Sequence, residues 1–68
     1  MTSGMGKIRR GGFIFITWIG DHAPYHVHVY EDGQLVVKWD LENNVEMKGK
    51  ATRKILRLID ELREEGKL

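Results

Sequence analysis

Three short runs of β-branched and aromatic residues precede a single segment with helical periodicity, and that order limits this chain to few folds. Residues 13–19 read Phe-Ile-Phe-Ile-Thr-Trp-Ile, residues 25–30 Tyr-His-Val-His-Val-Tyr, and residues 34–40 Gln-Leu-Val-Val-Lys-Trp-Asp. Each has the length and composition of a strand. From 52 to 65, Ile55, Leu58, Ile59 and Leu62 instead recur at the i, i+3, i+4, i+7 spacing of one buried stripe. Residues 45–48 supply a short fourth strand at an edge. The expected fold is therefore α+β: a small antiparallel sheet of three to four strands with one C-terminal amphipathic helix packed on one face.

Local signals fix the joints. Thr52 is placed to cap the helix and Gly66 to end it. Asn43-Asn44 suits a turn, and Asp32-Gly33 marks a hairpin. A two-residue loop there pairs Tyr30 with Leu35 and mixes His26 and His28 with Leu35, Val37 and Trp39. A three-residue loop, with Gly33 left-handed in a bulge, pairs Tyr30 with Gln34 and gathers Tyr25, Val27, Val29, Leu35, Val37 and Trp39 on one apolar face. Burial favours the second register, because a one-residue slip moves every side chain to the other face. His26, His28, Tyr30, Gln34, Val36, Lys38 and Asp40 then point away from the helix. Residues 1–12 hold four glycines and three basic residues without apolar periodicity. They read as a flexible basic arm before a single domain over 13–68.

Sixty-eight residues give a modest core, and without cysteine neither a disulfide nor a thiolate metal site can brace it. A partner chain or a homodimer is the expected support. Apolar residues at 41% and charged residues at 31% fit a folded chain, and a net charge of +1 leaves only local patches to attract nucleic acid. The longest apolar run is too short to span a bilayer, and the basic N-terminal segment lacks the apolar stretch of a secretory signal. A cytoplasmic location is expected.

All three histidines fall in Asp21-His22-Ala23-Pro24-Tyr25-His26-Val27-His28. His26 and His28, two apart on a strand, point the same way. With His22 or Asp21 they can share a divalent metal such as zinc and leave one position open. Without metal, His22, His26 and His28 can act as general acid and base in cleaving an RNA phosphodiester, with Lys38 or Arg10 stabilising the developing charge. Alternatively, the rings simply pack and hydrogen-bond locally.

The same stretch resembles the Asp-His-x-Pro-Pro-His-Phe-His signature of a family of small prokaryotic proteins catalogued as domain of unknown function 4160. Gly12 opening an apolar strand, the acidic-Gly hairpin and the Lys-Gly-Lys passage into an Arg- and Leu-rich helix agree with it over residues 8–62. Tyr25 and Val27 depart from the motif, and the Trp-containing tail is missing. The resemblance implies no established activity; it suggests a component of a toxin–antitoxin-like pair.

Two further features bear on partners. Trp18, Tyr30 and Val36, with Ile14 and Ile16, would make an apolar patch beside the histidines, suited to a protein interface. Lys48, Lys50, Arg53, Lys54 and Arg57 cluster at the start of the helix, where phosphate contact is the functional reading and a solvated face the commoner one.

Overall fold

The computed structural model describes residues 5–18 and 24–68. It is an α+β domain with five strands in chain order: β1 (Met5–Arg10), β2 (Phe13–Trp18), β3 (His26–Glu31), β4 (Gln34–Asp40) and β5 (Val45–Gly49), followed by α1 (Arg53–Glu64). The sheet order is β1-β2-β3-β4-β5, and all neighbours are antiparallel. Short connections between successive antiparallel strands make this meander the direct outcome of the turn signals.

The expected count of three to four strands falls short by β1, which lies in the segment read as an arm. No hydrophobic alternation announces it, because its inward positions are Gly6, Ile8 and Arg10. Tertiary contacts hold it instead. Ile8 stands opposite Phe15 and packs against the core. The two terminal guanidinium nitrogens of Arg10 donate hydrogen bonds to the Glu65 carboxylate, so β1 is tied to the C-terminal end of α1.

The core lies between one sheet face and the helix. Phe15, Val27, Val29, Val37, Ile55 and Leu62 are completely buried there, joined by Phe13, Leu41, Leu58 and Ile59. The four apolar residues of the helical stripe are its four buried residues. Thr52 caps α1 as expected, its Oγ1 accepting from the Ile55 N–H at 3.2 Å. Gly66 follows with φ +77°, which ends the helix. No helix among the described residues is long and apolar enough to cross a membrane.

The β3–β4 hairpin corrects the expected loop. Asp32 (φ 52°) and Gly33 (φ 78°) form a two-residue turn with Glu31 opposite Gln34 and Tyr30 opposite Leu35. Beyond Tyr30 the register shifts, and Val29 pairs with Val37. The extra residue is thus Val36, within β4, not Gly33 in the loop. Val27, Val29, Val37 and Trp39 share the helix face as expected, but Leu35 joins Tyr30 on the other side and Tyr25 is exposed. Positive φ at both turn residues gives the twist that a tight hairpin needs, so the irregularity moves into the strand.

Glu65 offers a measurable consequence of the β1–α1 tie. Hydrogen bonding to Arg10, then to Lys67, lowers its pKa from 4.5 to about 2. A carboxylate with a depressed folded pKa contributes stability above its unfolded value and loses it as pH falls through the folded one. Stability should decline as pH drops from 4.5 to about 2. Glu65→Gln should flatten that slope in urea titrations repeated across the range. An unchanged slope would show that the pair adds nothing.

Candidate functional site: the open face of the sheet

Strand alternation sends every second side chain away from α1. On β3 these are His26, His28 and Tyr30, opposite in direction to the core residues Val27 and Val29. Cross-strand pairing extends one rung over all five strands. Lys7 pairs with Ile16, Ile16 with His28, His28 with Lys38, and Lys38 with Lys48. A second rung runs Arg9, Ile14, Tyr30, Leu35. Among the described residues no second layer covers this face; Trp18 is 44% and Leu35 37% exposed, while Ile14, Ile16, His28 and Tyr30 are half-buried.

Cations predominate on the face. Lys7, Arg9, Lys38 and Lys48 stand on its strand positions, and the sole carboxylate among them is Asp40. That side chain is buried and occupied: Oδ1 accepts from the Glu42 and Asn43 N–H groups at 2.8 and 2.9 Å, and Oδ2 from Asn43 Nδ2 at 2.8 Å. The Asn43 side chain foremost, with help from these backbone groups and from His26, holds the Asp40 carboxyl below its ordinary range. It folds the 41–44 turn and offers little to a neighbour. Lysines directly opposite one another destabilise a sheet. The Lys38–Lys48 pair is therefore unfavourable for the sheet.

The three histidines do not share one role. His22 and Asp21 lie outside the described residues. His26 is buried, with Nδ1 2.7 Å from the Pro24 carbonyl, and its ring meets His28 edge-on at 5.1 Å between centroids. His28 stacks on Tyr30 at 6.4 Å and 17°. The expectation that both rings point away from the helix holds for their direction, but His26 sits beneath the surface. Among the described residues no three His, Asp or Glu side chains gather into a metal-binding group.

Other expected site residues are redistributed. Trp18 and Tyr30 remain on the histidine face, but Val36, as the bulged residue, packs against the core margin. Arg10 is bound to Glu65 on the helix side, away from His28. The basic cluster divides: Lys48 belongs to the sheet rung, Lys54 Nζ lies over the Phe13 ring at 5.5 Å, and Lys50, Arg53 and Arg57 are exposed around the helix start. Sequence reasoning missed Lys7 and Arg9 as face residues, because only the pairing of β1 brings them beside β2.

A sequence profile described as "Domain of unknown function (DUF4160)" matches residues 12–67. The chain belongs to this family. No curated protein and no solved structure compared with the chain matches it. Within the DUF4160 domain the match spans β2 to the end of α1, so the histidine strand and the Lys38 and Lys48 positions lie inside it, whereas Lys7 and Arg9 lie before it.

The different settings of the two described histidines predict different losses. His26→Ala should destabilise the domain by about 1–3 kcal/mol, as expected when a buried hydrogen bond is broken. His28→Ala should cost less than half as much in the same urea titration. Equal losses would contradict the distinction between a packed ring and a face ring.

Proposed function

We propose that this DUF4160 chain is a binding module whose open sheet face takes single-stranded nucleic acid. The rung Lys7–Ile16–His28–Lys38–Lys48 is the observation that supports the reading: three cations and an imidazole in line, with no available carboxylate among them. Phosphates running across the strands neutralise lysines that otherwise repel each other. Flat rings beside that line, Trp18 and Tyr30, suit bases that have left a duplex stack, since every base has a face to stack. A sheet face presents no element narrow enough to enter a duplex groove, which favours a single strand.

A second reading keeps a protein as the partner, as in a toxin–antitoxin-like pair. Exposed Trp18 and Leu35 favour it, and the cations require that protein to be acidic where it docks. Such a chain would compete with nucleic acid for the same face. A histidine-based hydrolase or a metal site draws less support, because buried His26 already meets the Pro24 carbonyl.

The test is fluorescence anisotropy with labelled U12 and dT12 over a salt series. Four cations at about 0.7 each give a slope of log K against log salt near −2.8. Lys38→Gln with Lys48→Gln should halve that slope, whereas Arg53→Gln with Arg57→Gln should leave it unchanged. No binding by either oligomer at low salt would refute the reading. So would a loss confined to the helix variant, which would locate the contact on α1.

A further inference from the structure

The face ends in a hollow that its cations do not explain. The β1–β2 and β3–β4 turns lie at the same end of the meander, and between them opens a concavity of about 490 Å³. Arg9, Ile14 and Asp32 contribute to its lining from the open-face side and the turn, and Arg10 and Phe13 from the helix side. Gly12 and Gly33 have positive φ and a Cβ on either would meet nothing within 4 Å, whereas one on Gly11 would press on the Leu58 side chain from the helix. The second rung leads directly in, since Arg9 and Ile14 belong to both.

Asp32 supplies the only carboxylate in that lining. On a face otherwise arranged for anions, a carboxylate repels phosphate and accepts N–H donors. Such a carboxylate can accept from the edge of a base, and Arg9 in the same lining can meet an adjoining phosphate. Guanine presents two neighbouring donors, N1–H and the 2-amino group, which match the two oxygens of one carboxylate. Adenine and cytosine each present one amino group, and uracil one imide N–H. Ile14 gives the base an apolar surface to lie against.

From this geometry we infer that the hollow is a guanine-selective subsite for one base of the bound strand, with Asp32 as the specificity-determining residue. The inference rests on the nucleic-acid reading of the face and adds a base preference to it. No bond is made or broken; the subsite acts by hydrogen bonding alone.

Three labelled RNA 12-mers separate the possibilities: U12, U12 with one central guanine, and U12 with one central adenine. The guanine oligomer should bind at least about fivefold tighter than U12, the discrimination that a paired set of hydrogen bonds gives. The adenine oligomer should bind like U12. Asp32→Asn should abolish the guanine preference, so that the guanine, adenine and U12 oligomers bind alike. Asn-Gly is itself a favoured hairpin turn, so this variant retains the fold. If U12 binds but guanine adds nothing, or the preference survives in Asp32→Asn, the subsite is overturned and the face reading stands. If none of the three binds, the face reading falls and the subsite with it.

Discussion

One extra residue in β4 reconciles two demands that otherwise conflict. Asp32-Gly33 enforces a two-residue turn, with Tyr30 opposite Leu35. Continued without interruption, that register would set Val27 opposite Lys38 and His28 opposite Val37. A lysine would then enter the core, or two core residues would join the histidines. Bulging at Val36 shifts the pairing by one, so Val29 meets Val37 and His28 meets Lys38. Burial of Val27, Val29 and Val37 offsets the cost of the irregularity. The displaced Val36 carbonyl is not wasted, for it accepts the Lys50 N–H at 3.3 Å. Gly49 makes this approach feasible, since a Cβ there would fall 2.2 Å from the Val36 oxygen. Thus the end of β5, and with it the position of Lys48, depends on the same bulge.

Much of this architecture was legible in the sequence, and the exceptions have physical causes. The helix and its caps follow from local chemistry at Thr52, Gly66 and the four-residue stripe. The parity of Val27, Val29, Val37 and Trp39 follows from burial, and it survives although the bulge lies elsewhere. Pairing partners do not follow, because a loop bulge and a strand bulge can sort the same residues onto the same faces. Exposed Leu35 shows the cost of that ambiguity. β1 was hidden for a different reason: its stability comes from Ile8 beside Phe15 and from Arg10 on Glu65, contacts 7 and 55 residues apart in the chain. Neither leaves a local pattern.

The candidate site was half legible for related reasons. The histidine segment draws attention by composition, yet composition cannot tell a ring that packs from one that faces outward. His26 and His28 have the same strand parity and different burial, set by the Pro24 carbonyl beside one and by the Lys38–Ile16 rung around the other. The cationic rung gathers residues from β1, β3, β4 and β5, none adjacent in sequence. A helix of about 18 Å can cover one face of this sheet and not both. Among the described residues the second face is therefore left without a covering layer. Guards against edge pairing point the same way: Lys7 and Arg9 stand on β1, and β5 is bulged at Met47.

The most direct measurement is an amide chemical-shift footprint of the ¹⁵N-labelled protein during titration with U12. If the open face is the working surface, the largest shifts fall on Lys7, Ile16, His28, Lys38 and Lys48, and α1 responds weakly. Shifts concentrated on Arg53, Lys54 and Arg57, with the sheet rung silent, would contradict that assignment.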